Sequence, residues 1–174
     1  MNKILIGLAV LLGGCLGYPD TVKPVNNFEL ERYLGKWYEI ARFDHSFERG
    51  LESVTAEYSL RDDGGVVVKN RGYSVEEKEW NESVGKAYFV KNKSTGYFKV
   101  SFFGPFYGPY VIFVLDEKEY QYAFVTSSSH SYIWFLSRTP TVSEELKNKF
   151  VEIIKMKGFN PDNLIWVDHE TTEK

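Results

Sequence analysis

One cysteine, two methionines and three histidines are all that the 174-residue chain holds of the side chains most used for thiol chemistry, soft-metal binding and proton shuttling. A single cysteine excludes an internal disulfide and a thiolate metal cluster, so the fold must stand on packing alone. Charge of one sign is lacking too, with 21 Lys and Arg against 24 Asp and Glu and no run of either. Nucleic acid binding therefore has no electrostatic footprint here. The motifs of common hydrolases are missing: "GYSVE" at 72–76 lacks the second glycine of a nucleophile elbow, and neither a His-Glu-x-x-His string nor a phosphate-binding glycine loop occurs. Asp62 and Asp63 fall in a turn and read as solvated residues rather than a carboxylate dyad. Aromatic residues are what the chain has in excess, 17% of the total with 13 Phe and 12 Tyr. Many half-buried strands would use them.

The lone cysteine sits early, in "LLGGCLG" at 11–17, after Lys3, the apolar run Ile4 to Leu12 and the small pair Gly13 and Gly14. That order is the layout of a secretory signal peptide, and the run is well short of the roughly 20 residues a membrane-spanning helix needs. Cysteine directly after Leu-Gly-Gly resembles the lipobox of bacterial lipoproteins, which implies cleavage after Gly14 and lipidation of Cys15. Several acyl chains on one residue anchor a protein stably where one gives marginal binding. Position 16 is Leu rather than the Asp of lipoproteins kept in the inner membrane, so the resemblance implies the periplasmic face of the outer membrane. The expected organisation is a removed signal peptide over 1–14, a lipidated tether over 15–28, one domain over 29–170 and a tail over 171–174. Pro19, Pro24 and two Asn block regular structure in the tether.

From Lys36 onward short runs rich in Val, Tyr, Phe and Trp alternate with turn chemistry: "DDGG" at 62–65, "KNKSTG" at 91–96, "GPFYGP" at 104–109, "DEKE" at 116–119 and "SSSH" at 127–130. The pattern predicts strands near 36–43, 53–61, 66–73, 83–91, 97–103, 110–116, 122–127 and 132–138. Eight strands in simple succession form a meander, and closing it removes both edges and leaves an interior large enough for one small ligand. A helix follows, with Thr141 and Glu144 as an expected capping box, Leu146, Phe150, Ile153 and Lys157 as its stripe, and Gly158 as its stop. "LIWV" at 164–167 reads as a last strand beside the first.

"GKWYEIARF" at 35–43, "VLD" at 114–116 and "LSRTP" at 136–140, followed by one helix and a ninth strand, resemble the lipocalin family. "ARFDHSFERG", "YSLRDDGG" and "KVSFFGPFYG" are similar to its bacterial, outer-membrane lipoprotein branch. Because each hairpin reverses direction, Gly35, Trp37, Asp116 and Arg138 arrive at one end. The resemblance implies that Arg138 stacks on Trp37 and binds backbone carbonyls there, closing the base. Parity then selects the expected interior, with Ala56, Tyr58, Val68, Phe89, Phe98, Val100, Phe102, Tyr110, Ile112, Val114, Val125, Tyr132 and Trp134 as the ligand-binding residues and Val66, Ala87, Ala123 and Leu136 facing inward beside them. Arg42 falls on the outward parity, Glu39 on the inward one, and His45, His130 and His169 outside the interior.

The expectation is an all-β eight-stranded antiparallel barrel, a binding module rather than an enzyme, without cofactor or metal. Its partners are a fatty acid or lysophospholipid and the outer membrane through Cys15, with a second copy of the chain open as another. Two alternatives stand beside it: an envelope lipid-modifying enzyme using His45, Glu48 or His130 at the mouth, and a structural barrel filled by its own aromatics.

Overall fold

The structure is a computed structural model and describes residues 16–170; the signal peptide, Cys15 and the tail at 171–174 lie outside the described residues. Eight antiparallel strands follow one another as β1 (Gly35–Phe43), β2 (Leu51–Leu60), β3 (Val66–Ser74), β4 (Glu79–Phe89), β5 (Tyr97–Phe103), β6 (Phe106–Leu115), β7 (Tyr122–Thr126) and β8 (Ile133–Ser137). Each pairs with the next, and β1 pairs with both β2 and β8, so the sheet closes into a barrel. A ninth strand, β9 (Leu164–Trp166), lies antiparallel to the end of β1, with Ala41 opposite Trp166 and Phe43 opposite Leu164. One short helical turn, α1 (Leu30–Tyr33), precedes the barrel, and α2 (Glu144–Met156) follows it.

Two layers of core result from the alternation of the strands. The inner one holds Trp37, Tyr58, Val66, Val68, Ala87, Phe98, Ile112, Ala123, Val125 and Leu136. The outer one lies between the sheet and α2, where Ile133 and Phe135 from β8 and Phe124 from β7 meet Phe150 and Ile154. Helix α2 starts two residues later than a capping box at Thr141 would place it: Ser143 is the N-cap, and its side chain accepts from the Leu146 amide. Its buried residues are Phe150 and Ile154, an i, i+4 pair, while Ile153 is half-buried.

Three local departures from simple alternation decide what faces the interior. In β6 a bulge between Ile112 and Val114 turns both Phe113 and Val114 outward. Val114 therefore belongs to the outer layer, contrary to parity, and Leu115 takes the inward place. In β1 a bulge between Glu39 and Ala41 sends Ile40 and Ala41 outward together and swings Arg42 inward, where parity had put it outside. The loop expected over 104–109 contracts to Gly104 and Pro105, because Phe103 and Phe106 pair across the hairpin. Gly104 takes a left-handed φ of 49°, which this tight turn requires.

Residues 16–28 lack regular structure, as their prolines and asparagines imply, yet they do not hang free. Val22 is buried under Phe113 and Phe159, the Val25 amide donates to the Ile112 carbonyl, and the Gly96 amide donates to the Val25 carbonyl. Phe28 enters the barrel base, where its ring meets Tyr33, Phe89, Phe98 and Tyr120.

Candidate functional site: the barrel interior and its two ends

At the closed end, Arg138 leaves β8 and lays its guanidinium 3.9 Å from the centroid of the Trp37 ring. Its Nη1 donates to the Lys36 carbonyl, Nη2 to that of Arg32 and Nε to that of Tyr120, at 2.9, 2.8 and 3.3 Å. The Trp37 indole N–H donates to the Tyr33 carbonyl. Gly35 holds φ at 92°, which a side chain would strain, and this brings α1 over the barrel mouth of that end. Asp116 shapes the neighbouring turn by accepting from the Gln121 amide, and the Arg138 amide donates to the Gln121 carbonyl. None of these groups lines the cavity, and their contacts join β8, β1 and α1 across this end of the barrel. Arg138→Met is expected to lower unfolding free energy by about 2–3 kcal/mol, the worth of a charge-assisted set of bonds plus the ring contact. Ligand affinity of the folded fraction should stay unchanged. Denaturation and ligand titration on one preparation check this, and a variant of normal stability with weakened binding would contradict it.

Above that seal lies a cavity of about 320 Å³. Of the residues assigned to the ligand site from sequence, Ala56, Tyr58, Val68, Val100, Phe102, Tyr110, Tyr132 and Trp134 line it. Phe98 lines only a smaller apolar space of about 20 Å³ beneath, which shares Tyr58, Val100 and Tyr110 with the cavity above. Phe89 stacks on Phe98 with centroids 4.3 Å apart, and Ile112 and Val125 are fully buried in the inner core. These three line neither space. The floor carries a hydroxyl chain in which Tyr33 and Tyr58 each lie 2.8 Å from the Tyr110 hydroxyl. Burial pushes all three phenols above their ordinary range, so they stay protonated.

The wall is more polar than parity suggested, because Glu39, Glu48, Asn70, Ser127 and Ser128 also line the cavity. Glu39 and Arg42 form a buried ion pair at 2.8 Å, with side chains 5% and 2% exposed. The second guanidinium nitrogen of Arg42 donates to the carbonyls of Glu48 and Leu51. Glu48, in the loop between β1 and β2, accepts from the Trp134 indole N–H at 3.1 Å. Burial holds the Glu39 carboxyl well above the usual carboxylate range, and the charge of Glu48 adds to this while Arg42 opposes it. Burial also raises Glu48, against the pull of Trp134 and Arg42.

His45, in the mouth loop after β1, does not line the cavity but is buried rather than solvated: it is 8% exposed, stacks on Phe47 at 4.1 Å and leans on Trp134 at 5.2 Å. Its Nε2 lies 3.2 Å from a Glu48 oxygen, but neither ring nitrogen is aligned for a hydrogen bond. Burial first, and the Arg42 charge second, lower its pKa to about 4, so the ring is neutral at pH 7. His130 is pinned between the Thr21 hydroxyl and the Lys157 carbonyl, with Phe159 against its ring. His169 bonds to the Glu39 carbonyl and packs on Tyr38. Neither of these two lines the cavity, and no hydroxyl nucleophile is bonded to His45 among the described residues. Such an arrangement can enclose and orient a ligand. The signals overlooked in the sequence were the unbroken apolar pairs Ile40-Ala41 and Phe113-Val114, each of which interrupts alternation where a bulge sits.

A closed eight-stranded meander with a packed helix, a ninth strand and an internal void open at one end defines a ligand-binding barrel. The family described as "Lipocalin-like domain" matches residues 28–169, and the chain belongs to the lipocalins. It is 60% identical over 166 residues to outer membrane lipoprotein Blc of Vibrio cholerae serotype O1, covering 95% of this chain and 97% of that one. To outer membrane lipoprotein Blc of Escherichia coli K12 it is 54% identical over 149 residues, 86% of this chain and 84% of the other. Among solved structures, insecticyanin of the tobacco hornworm Manduca sexta superposes with a TM-score of 0.68 at 22% identity, covering 87% of this chain and 86% of its own.

Proposed function

We propose that this lipocalin is anchored to the outer membrane through lipid on Cys15 and holds one acyl chain of a fatty acid or lysophospholipid, for lipid storage, transport or membrane maintenance. The observation that carries the reading is the cavity of about 320 Å³, whose apolar walls include Ala56, Val68, Val100, Phe102, Trp134 and Leu136. That volume is at the lower end of ligand pockets and disfavours a barrel filled by its own side chains. The resemblance of "LGGC" to a lipobox and the names of the relatives at 60% and 54% identity support the anchor.

The chain enters tail first, toward Tyr58 and Tyr110, because the polar wall groups gather on the mouth side around Glu48, Ser127 and Ser128. Burying roughly a dozen methylenes at about 0.8 kcal/mol each gives on the order of 10 kcal/mol before the costs of ordering and association. A net affinity near micromolar, about 8 kcal/mol, follows. Phe103, Phe106 and Phe47, 80%, 78% and 62% exposed, ring the mouth that a lipid would cross.

Affinity for a homologous series of single-chain lipids should rise with chain length and then level off once the cavity is full, and Trp134→Ala should weaken long chains more than short ones. A response flat in length overturns the reading. Cys15→Ser should release the protein from membranes with its thermal unfolding unchanged, and continued fractionation with the outer membrane would require a second membrane element.

A further inference from the structure

The outer face of β4, β5 and β6 differs in charge from the rest of the chain. Residues 83–115, which cover much of β4 and all of β5 and β6, hold four lysines, Lys86, Lys91, Lys93 and Lys99, and no Asp, Glu or Arg. The whole chain is close to balance, with 21 Lys and Arg against 24 Asp and Glu. Lys86 and Lys99 lie 5.9 and 5.0 Å from the centroid of the Tyr107 ring, and the Tyr88 ring stands 6.4 Å from it. Neither lysine has an ion pair among the described residues. Asp63 reaches the Tyr88 hydroxyl from the turn after β2, but Arg61 balances its charge. At the tip of the β5–β6 hairpin, Phe103 and Phe106 are largely exposed. Half-buried tyrosines, lysines without a counter-charge and a bare aromatic tip are the composition that suits a membrane–water interface, where anionic headgroups overlie apolar chains.

A second, independent observation places the start of the described chain on the same face. The tether is docked down to its first described residue: the Tyr97 hydroxyl donates to the Leu16 carbonyl, and the Tyr18 ring meets the Tyr97 ring edge-on at 5.1 Å. Tyr97 opens β5 and precedes the inward Phe98, so Tyr97 and Lys99 point outward along one strand. Cys15 directly precedes Leu16, and consecutive Cα atoms lie 3.8 Å apart. A lipid carried on Cys15 is therefore tied to the wall of β5 with no spacer between the anchor residue and the docked segment.

We propose that the outer face of β4–β6 is a bilayer-docking surface. The barrel lies side-on against the phospholipid headgroups, with Lys86 and Lys99 at the phosphates and Phe103 and Phe106 dipping beneath them. This rests on the Cys15 anchor and gives it a direction: docking of the tether makes the anchor a fixed point on the barrel, so the hairpin at the mouth is held at the membrane surface. A phospholipid surface supplies an anionic partner for the lysines and an apolar one for the tip.

The test uses the lipidated protein in vesicles of phosphatidylethanolamine and phosphatidylglycerol that contain nitroxide-labelled lipid. Cys15 is the single cysteine of the chain, so once it is lipidated an introduced thiol is the one site for a fluorophore. Labels on Lys99→Cys and Phe106→Cys should be quenched severalfold more than labels on Glu57→Cys and Lys155→Cys, which are exposed on β2 and α2 away from that face. Tyr18→Ala, which loosens the tether, and Lys86→Glu with Lys99→Glu, which reverses the charge, should each lower quenching at Phe106→Cys severalfold while the protein stays on the vesicles. Thermal unfolding of these variants should match that of the parent. Equal quenching at all four positions, or none at any, overturns the proposal even if a variant fails to fold, and so does quenching at Phe106→Cys that survives both sets of substitutions. Thiol crosslinking of Phe106→Cys between molecules in place of quenching would give the face to a second copy of the chain and overturn it as well. Uptake of label by Cys15 in the unsubstituted protein, with no retention on vesicles, is a separate outcome that removes the anchor reading itself and this proposal with it.

Discussion

Arg42→Met is expected to cost about 3–5 kcal/mol of unfolding free energy near pH 8 and distinctly less near pH 5, since removing one partner of a buried pair strands the other charge. The Arg42 side chain is 2% exposed; its Nη1 donates to Glu39 at 2.8 Å and its Nη2 to the carbonyls of Glu48 and Leu51 at 2.9 and 3.0 Å, while its Nε is buried without a hydrogen-bond partner among the described residues. Methionine fills much of the same volume but leaves Glu39 and Glu48 facing each other without the charge that now lowers both. Their folded pKa values, already raised, must rise further, while in the unfolded chain they return to about 4.3. A carboxyl raised on folding contributes stability that is complete below its unfolded pKa and is lost as pH rises through its folded pKa. The penalty of the substitution therefore grows from acid toward neutral pH. His45 acts in the opposite sense in the parent protein. Its pKa is depressed from 6.5 to about 4, so its contribution is complete above 6.5 and is lost as pH falls toward 4. The two tendencies offset each other in the parent, and Arg42→Met unbalances them. Urea denaturation at the two pH values measures it. A loss below about 1 kcal/mol, or one equal at both pH values, would show that the pair is not the buried partnership its geometry describes. Adding Glu39→Leu to Arg42→Met should recover part of the loss, since an apolar pair of similar size often replaces a buried ion pair without penalty.

That cluster also shows where sequence reasoning stopped. Period-2 alternation between short polar and Gly-Pro turns sufficed for the strand order, because a meander leaves few choices once the turns are found. It sufficed for most of the wall as well: Val68, Val100 and Phe102 face the void as their parity requires. Alternation carries no information across a bulge, and β1 and β6 each contain one. Both faces of these strands are buried, one under ligand space and one under α2 or the N-terminal segment. Apolar residues therefore stand on both sides of each bulge, and the only mark it leaves is an unbroken apolar pair, Ile40-Ala41 or Phe113-Val114, which a strand buried on both faces would also show. Glu48 and His45 lie in the mouth loop, as expected, but their burial was not legible for another reason: the charged string "DHSFERG" carries no alternation to show that the backbone folds it over the mouth, where Trp134 meets the Glu48 carboxylate. The N-terminal segment hid in the same way, since prolines and asparagines argue against regular structure but not against packing.

That segment gives the second large effect. Phe28→Ala is expected to lower unfolding free energy by about 3–5 kcal/mol, the usual loss when a fully packed aromatic ring is truncated in a core. A detached tether would predict no change. The ring is 3% exposed and lies 5.3 Å from Tyr33 and 5.6 Å from Phe98, centroid to centroid. The amide of the same residue donates to the Ser94 carbonyl at the turn below β5, so backbone and side chain hold the segment to the barrel together. The position of the ring gives the substitution a functional signature as well. Tyr33 and Phe98 are walls of the small apolar space under the main cavity, and Tyr58, Val100 and Tyr110 separate the two. Removing the ring enlarges that lower space from beneath, and a dry apolar void lined by aromatic and aliphatic side chains is one that an alkyl tail can occupy. In the fraction that stays folded, the chain length at which affinity levels off should move to longer chains, while affinity for chains too short to reach the floor stays as it was. Chemical denaturation and the chain-length series, run on the same variant, measure both effects. Unchanged stability would return residues 16–28 to the status of a loose leash. A large loss of stability with an unmoved chain-length plateau would mean that the hydroxyl chain of Tyr33, Tyr58 and Tyr110 is a fixed floor and that the ligand never passes it.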